Sequence, residues 1–270
     1  MMAKAQITLT PPESKRLIAM AVVRLSEVKK ALKEGIVVVC LGTTNAFVAQ
    51  ELCKKSVDPS RFAAGVILPQ GTCVIPKERR MKEFVFVKGK LTEMGLDDVL
   101  PKLGPSDVVI KGANALDPSW TAGIFLASET GGTIGKILGI VSSRGVKLII
   151  PVGLEKFIPS SIKEVAPETG IFGFDYSTGV PVGLIPISGR IVTEIEAVKI
   201  LTGADAKVMG AGGLSGAEGS VTLLVSGSEE QIVKLQKIVE NIKGKIRFPE
   251  ITVNCEECWQ ERCGKRKSMR

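Results

Sequence analysis

Residues 36–55 read IVVVCLGTTNAFVAQELCKK. Their first six residues form an uninterrupted apolar run, which is typical of a strand buried on both faces of a parallel sheet. The polar residues 42–45 interrupt that run, and apolar residues then recur at helical spacing from Ala46 to Lys55. The stretch therefore predicts a strand, a tight turn and a helix, which is the repeating unit of a parallel α/β sheet.

The same alternation continues on both sides of this stretch. Strands are predicted at 64–68, 83–87, 107–111 and 147–152, and helices at 12–33, 92–100 and 131–144. Alternating strands and helices require right-handed crossovers that cover both faces of a sheet. Residues 1–155 are therefore predicted to form an α/β domain with a Rossmann-like parallel sheet and helices on both faces.

A second pattern follows a connecting stretch at 156–180 that is rich in Pro, Gly and Ser. Its predicted elements are a strand at 182–187, a helix at 193–201, strands at 206–209 and 220–226, a helix at 229–242 and a strand at 245–248. The order βαββαβ is that of a ferredoxin-like module. We therefore expect a small α+β domain at 180–250, followed by a Cys-containing basic tail at 251–270.

The composition excludes several classes of function. The chain has 270 residues and no histidine, which removes Ser-His-Asp catalysis and His-ligated zinc. Its longest apolar runs are far shorter than the ~20 residues of a membrane-spanning helix, so no membrane partner is expected. The net charge of +8 is concentrated near the C-terminus and aromatic residues are few, which argues against a nucleic-acid partner. The cysteine distribution does not resemble a disulfide framework and favours the reducing cytoplasm.

Two turns have the features of an anion site. Residues 42–45 leave a buried strand and open a helix, where backbone N–H groups and the helix dipole favour a phosphate or carboxylate. Residues 130–133 open a second helix, and their glycines allow a ligand to approach the backbone closely. With one residue of the polar loop after 107–111, the predicted ligand-binding residues are Gly42, Thr43, Thr44, Asn45, Asn114, Gly131, Gly132 and Thr133. The alternative is that both turns are ordinary capped turns without a ligand.

Charged residues near these turns are the candidates for catalysis: Lys111, Asp117, Glu129 and Lys136. Either carboxylate would act as a base while a lysine stabilises the developing negative charge, as proton abstraction beside a carbonyl requires. The lysines alternatively serve only as phosphate counter-ions. Cys40 is a further candidate, although its position in an apolar run favours a small buried residue over a nucleophile.

Five motifs in register resemble type A ribose-5-phosphate isomerase. They are GIVVVCLGTTNAFVAQEL at 35–52, KGANALDP at 111–118, TGGTIGKI at 130–137, KLIIPVGLEK at 147–156 and VPVGLIP at 180–186. The resemblance covers residues 12–250 and extends to the wider superfamily of glucosamine-6-phosphate deaminase and coenzyme A transferases. It implies sugar-phosphate binding, a ferredoxin-like small domain and a homo-oligomer. The loop aspartates of that family correspond here to Lys111 and Asn114, and its general-base glutamate corresponds to Gly135.

The C-terminal residues Cys255, Cys258 and Cys263 lie outside this resemblance. A C-x-x-C pair brings two thiolates to one metal ion and Cys263 adds a third, so zinc or an iron–sulfur cluster is the predicted cofactor. The fourth ligand would come from Glu256, a main-domain cysteine or a neighbouring subunit. A redox-active pair and a tail of unligated thiols are the alternatives.

The sequence therefore predicts an enzyme that acts on a small phosphorylated or carboxylated metabolite at the carboxyl edge of the parallel sheet. The reaction would be an isomerase-like proton abstraction or an acyl or coenzyme A transfer. One alternative is a non-catalytic protein that senses sugar phosphates on the same fold. Another is a metal or redox protein that uses its C-terminal cysteines.

Overall fold

The computed structural model describes residues 1–264. Its α-helices are α1 (Pro11–Val22), α2 (Ser26–Glu34), α3 (Thr43–Cys53), α4 (Leu96–Val99), α5 (Gly132–Arg144), α6 (Ile162–Val165), α7 (Glu194–Thr202) and α8 (Glu229–Ile242). Its strands are β1 (Met2–Leu9), β2 (Ile36–Val39), β3 (Gly65–Leu68), β4 (Gly71–Val74), β5 (Phe84–Val87), β6 (Lys90–Thr92), β7 (Val108–Ile110), β8 (Ala115–Leu116), β9 (Ala122–Leu126), β10 (Lys147–Pro151), β11 (Gly183–Ile187), β12 (Arg190–Val192), β13 (Asp205–Gly212) and β14 (Ser220–Ser228).

The largest sheet has six strands in the order β12-β10-β7-β2-β5-β6. The first four are parallel, β5 pairs antiparallel with β2, and β6 pairs antiparallel with β5, so the sheet is mixed rather than wholly parallel. The antiparallel part arises because the chain leaves α3 through the β3–β4 hairpin before it returns beside β2. The prediction of the α/β class is thus confirmed, whereas the prediction of a wholly parallel sheet is not. The carboxyl ends of the four parallel strands meet at one edge.

The N-terminal strand and the C-terminal half share a separate sheet of order β1-β14-β13. Here β1 pairs antiparallel with β14 from Met2 opposite Ser228 to Leu9 opposite Val221. The strand expected at 182–187 forms as β11 but pairs with β9, and residues 245–248 form no strand. Phe248 instead packs edge-on against the ring of Phe47, with the ring centroids 5.9 Å apart. These pairings differ from the expected βαββαβ order, whereas the domain division itself stays a prediction.

Three helical predictions also change in detail. The helix expected at 12–33 is split because Arg24 and Leu25 donate to carbonyls three residues back, which forms a tight turn and buries Leu25. The helix expected at 92–100 shortens to α4, where the N–H of Gly95 donates to the Asp98 carboxylate. The connecting stretch at 156–180 contains α6. No helix in the described part of the chain has both the length and the apolarity to cross a membrane.

Glu13 ties the start of α1 to the end of α8. This carboxylate is 2% exposed and accepts hydrogen bonds from the N–H of Thr10, the N–H of Gly244 and the ammonium of Lys243. Burial alone would raise the pKa of Glu13, but these hydrogen bonds outweigh it and hold the pKa below its usual value. The ionised carboxylate therefore fixes both chain segments.

We expect Glu13→Gln to lower the free energy of unfolding by about 1–3 kcal/mol near neutral pH, because the amide cannot accept from all three donors. A carboxylate with a lowered folded-state pKa stabilises above its unfolded pKa, and this contribution is lost as the pH falls through the folded value. The deficit should therefore shrink below about pH 4.5. Urea unfolding near neutral pH and below about pH 4.5 would measure the deficit in the free energy of unfolding. The control is Glu230→Gln, which alters an exposed carboxylate. An equal deficit at both pH values would contradict the assignment.

Candidate ligand site at the carboxyl edge of the parallel strands

Loops that follow the four parallel strands place charged side chains at one edge of the six-stranded sheet. Glu83 joins them because β5 runs antiparallel to β2, with Phe84 opposite Val39. Lys15 is contributed by α1, which packs against α3 and α7. We call this group the edge cluster, and its members are Lys15, Cys40, Glu83, Lys111, Glu155, Lys156 and Glu194. Electrostatic interactions connect these groups to one another.

The turn before α3 is positioned by Asn45. Its fully buried amide donates to the carbonyl of Cys40 at 2.8 Å and to the carbonyl of Ile110 at 3.1 Å, which joins the ends of β2 and β7. Within residues 1–264, two buried oxygens beside this bridge have no hydrogen-bond partner: Asn45 Oδ1 and Thr44 Oγ1. Unpaired buried polar atoms are rare in proteins and frequently mark a place for water or a ligand.

The lysines of the edge cluster differ in their partners. Lys15 forms an ion pair with Glu155, with 2.6 Å between Nζ and Oε1, and Lys156 donates to the carbonyl of Ala113 at 2.7 Å. The ammonium of Lys111 has no hydrogen-bond partner in the described part of the chain. Burial lowers the pKa of Lys156 to about 8 and also lowers that of Lys111. Lys156 is therefore better placed than an exposed lysine to exchange a proton near neutral pH.

Two carboxyl groups of the edge cluster, those of Glu155 and Glu194, interact electrostatically with Lys156. Glu194 is fully buried and accepts a hydrogen bond from the N–H of Leu154 at 2.9 Å. Burial, assisted by the negative charge of Glu155, raises the pKa of Glu194 to about 7. Burial opposes ionisation of Glu155 as well, but Lys15 and Lys156 hold its pKa below the ordinary value. Glu155 is thus ionised at neutral pH, whereas the pKa of Glu194 lies close to neutral pH.

Cys40 belongs to the edge cluster as a buried thiol. Burial raises its pKa to about 12, and the positive charge of Lys111 opposes this rise. A thiol with this pKa stays protonated at neutral pH, which makes it a poor nucleophile. The structure therefore favours the buried apolar role.

The second predicted turn reaches the edge cluster through Glu83. Gly131 and Gly132 have φ values of 73° and 58°, which glycine adopts without strain. The hydroxyl of Thr133 then donates to the carboxylate of Glu83 at 3.3 Å. A Cβ at Gly135 would collide with the carbonyl oxygen of Thr130. The position that the isomerase resemblance gives to a glutamate thus requires glycine in this turn.

Three other predicted site residues bind partners outside the edge cluster. Glu129 forms an exposed ion pair with Arg262, and Lys136 forms one with Asp97. Asn114 accepts a hydrogen bond from the N–H of Phe125 at 3.0 Å. Exposed ion pairs of this kind contribute about 0–1 kcal/mol and do not bury a charge for chemistry.

Asp117 is buried within its own loop. Its carboxylate accepts from the N–H and hydroxyl of Ser119, from the N–H of Thr121 and from the N–H of Ile162, all at 2.7–2.9 Å. Burial would raise the pKa of Asp117, but these donors keep it below its usual value. The hydrogen bonds occupy the carboxylate oxygens and fix the loop against α6.

The C-terminal cysteines Cys255, Cys258 and Cys263 are half-buried. Among residues 1–264, no three Cys, Asp, Glu or His side chains lie close enough together to hold a metal ion as they stand. The basic residues Lys265, Arg266, Lys267 and Arg270 lie outside the described residues.

Sequence reasoning missed most of the edge cluster. Lys111 was predicted, but Lys15, Glu83, Glu155, Lys156 and Glu194 were not. A signal for two of them was present, because Glu155 and Lys156 follow the predicted strand at 147–152, and residues after parallel strands collect at the carboxyl edge. Lys15 and Glu194 carried no such signal, since each lies in the first turns of a helix whose packing is tertiary.

Comparison of the chain with protein-family models, curated proteins and solved structures gave no match.

We expect Asp117→Asn to lower the free energy of unfolding by about 1–3 kcal/mol, because an amide nitrogen would face donor groups that now share a carboxylate. Thermal unfolding of the variant would measure this loss. The control is Asp97→Asn, which alters an exposed carboxylate and should change stability by less than about 0.5 kcal/mol. Unchanged stability of Asp117→Asn would show that this carboxylate does not hold the loop.

We also expect Glu194→Gln to flatten the pH dependence of stability. The folded pKa of Glu194, about 7, lies above its unfolded value near 4.5. The folded state therefore binds more protons in this window, and stability falls as the pH rises from about 4.5 to 7. Glutamine does not titrate and keeps an oxygen for the N–H of Leu154, so the variant should gain stability relative to the wild type as the pH rises. Urea unfolding at pH 5 and pH 8 would test this.

The exposed Glu168→Gln serves as the control for that titration, because it removes a carboxylate that faces solvent. It should leave the pH dependence of the wild type in place. An identical pH dependence of the wild type and Glu194→Gln would exclude the proposed protonation of this carboxyl.

Proposed function

We propose that this chain is an enzyme that acts on a small phosphorylated or carboxylated metabolite at the edge cluster, by proton transfer next to a carbonyl group. One observation carries the proposal. The half-buried Lys111 lies beside the N-terminus of α3, and its ammonium donates no hydrogen bond to any described residue. An acyl or coenzyme A transfer is the second reaction type that the same anion site would serve.

The anion would bind between Lys111 and the turn at 42–45. A partly desolvated ammonium without a partner is unfavourable, and an anionic ligand would relieve this cost by pairing with it. The N-terminus of α3 adds free backbone N–H groups and the positive end of the helix dipole. The hydroxyls of Thr43 and Thr44 lie on the first turn of that helix and supply further donors.

Lys156 is the group we propose for proton transfer. In its neutral form it would take a proton from the carbon beside a carbonyl, and the electron pair of the broken C–H bond would move onto the carbonyl oxygen. The ammonium of Lys111 would stabilise that oxygen. A base is most effective when its pKa lies near the working pH, which fits the lowered pKa of Lys156. Burial lowers this pKa, and the charges of Glu155 and Glu194, which act as positioning residues, oppose part of the decrease.

We retain a Rossmann-like relationship for the four parallel strands, a distant ferredoxin-like relationship for residues 180–250, a homo-oligomer and a cytoplasmic location. The resemblance to type A ribose-5-phosphate isomerase supports sugar phosphates as the ligand class. We do not propose a loop carboxylate as the base, because Lys111 and Asn114 stand where that family has its loop aspartates.

A non-catalytic metabolite sensor is the second candidate. Two observations favour it: the carboxylate of Asp117 is occupied by hydrogen bonds, and Gly135 cannot carry a side chain without a collision. A sensor would bind the same anions without converting them. Turnover that Lys156→Met abolishes while ligand binding persists would separate the enzyme from the sensor.

Ligand-induced thermal stabilisation tests the anion site directly. We expect ribose 5-phosphate, inorganic phosphate or acetyl-coenzyme A at a hundred times its Kd to stabilise the protein by about 2.7 kcal/mol. Lys111→Met should abolish the shift. Lys147→Met, which removes an exposed lysine at the amino end of β10, should retain it. The absence of a shift with all three anions at millimolar concentration would overturn the proposal.

A further inference from the structure

A cavity of about 260 Å³ lies between the β3–β4 hairpin and the C-terminal segment. Four of the six cysteines of the chain line this cavity: Cys73, Cys255, Cys258 and Cys263. The first lies on β4, whereas the other three lie in a segment without helix or strand. The fold thus brings a main-domain thiol to the C-x-x-C pair and to the third C-terminal thiol.

Backbone contacts with Gly179 hold both parts of this cavity. Thr72 forms a parallel bridge with Gly179, and the N–H of Gly264 donates to the carbonyl of Gly179 at 3.0 Å. Gly179 has a φ of 91°, and a Cβ there would collide with the backbone of Thr72. Because Cys73 follows Thr72 and Cys263 precedes Gly264, one glycine positions a cysteine of β4 and a cysteine of the C-terminal segment.

The C-terminal segment has few internal interactions that would fix its conformation. No named helix or strand lies in residues 245–263, and only Gln260 is buried among residues 255–263. Long irregular segments in compact proteins are uncommon unless they serve a function or are held by something else. A metal ion bound by thiolates is a common means of fixing such a segment.

We infer that Cys73, Cys255, Cys258 and Cys263 form a tetrathiolate zinc site that fixes the C-terminal segment on the β3–β4 hairpin. Sulfur ligands select zinc over magnesium or calcium, and the chain has no histidine to offer instead. Binding converts four thiols and one Zn²⁺ into a zinc tetrathiolate, and the four protons pass to the buffer. The site is separate from the edge cluster and does not depend on the proposed enzymatic function.

The four thiols must turn inward to bind one ion, because no three of them meet in ligand geometry in the described chain as it stands. Zinc–sulfur bonds are about 2.3 Å long, which requires all four sulfur atoms to point at one centre. The cavity provides the space for this, since all four residues border it. The side chains of the cysteines are half-buried, so rotation does not require the core to open.

Zinc content of the full-length protein tests the site. The protein would be purified under reducing conditions, stripped with a chelator and titrated with zinc in competition with a chromogenic chelator. We expect one zinc per chain, and a weakening on the order of a hundredfold in Cys73→Ser, which loses one of four ligands. The matched control is Cys53→Ser, whose thiol lies at the end of α3 outside the cavity and whose affinity should equal that of the wild type.

Each other outcome would overturn the inference. Equal zinc affinity of Cys73→Ser and Cys53→Ser would remove Cys73 from the ligand set. A wild-type chain that binds no zinc would remove the site. Bound iron with sulfide would replace zinc by a cluster, and a disulfide of Cys73 under reducing conditions would indicate a redox pair instead.

Proteolysis of the wild type provides a second test that does not rely on a folded variant. Trypsin should cut the zinc-free protein at the exposed residues Lys245 and Arg247, which precede the cysteines. Adding zinc should slow this cleavage at least about tenfold, because a fixed segment opens less often. Cleavage at the same rate with and without zinc would show that the metal does not hold the segment.

Discussion

The buried amide of Asn45 is the interaction on which the candidate site depends. Its two hydrogen bonds to the carbonyls of Cys40 and Ile110 join two neighbouring parallel strands at the point where each leaves the sheet. Without this side chain, the carbonyl of Cys40 would lose the Asn45 donor, at a cost of about 1–3 kcal/mol, whereas the carbonyl of Ile110 would still accept from the N–H of Cys40 at 3.0 Å. The same residue fixes the start of α3, so that one side chain sets both the strand ends and the helix N-terminus beside Lys111.

Charge distribution around that bridge gives the edge its chemical character. Lys15 and Glu155 neutralise each other, whereas Lys111 lacks a hydrogen-bond partner among residues 1–264. Burial then lowers the pKa of Lys156 and raises that of Glu194, which brings both toward neutrality. Perturbed groups of this kind concentrate at functional sites, although structural ion pairs also produce them. Their position at the carboxyl ends of parallel strands favours the functional interpretation.

Local sequence predicted the elements better than their partners. The strand at 36–39 and the helix from Thr43 form as expected, because an apolar β-branched run followed by a polar turn encodes both locally. By contrast, the sequence pattern predicted neither β1 nor its pairing with β14, and residues 245–248 form no strand. Strand pairing joins residues more than 200 positions apart, and no local pattern specifies such a partner. The candidate site shows the same division, since Lys111 was predicted but Lys15 and Glu194 were not.

By itself, the sequence determined the α/β class, the turn at 42–45 that opens α3, the lack of histidine chemistry and the clustering of three C-terminal cysteines. Periodicity and composition are properties of neighbouring residues, and a single chain displays them directly. Only the tertiary structure decided that Asp117 is occupied within its own loop, that the ammonium of Lys111 has no hydrogen-bond partner in the described chain, and that Cys73 borders the cavity of the other three. Each of these depends on burial and on contacts between distant segments, which determine whether a charged or sulfur-containing side chain is available for chemistry.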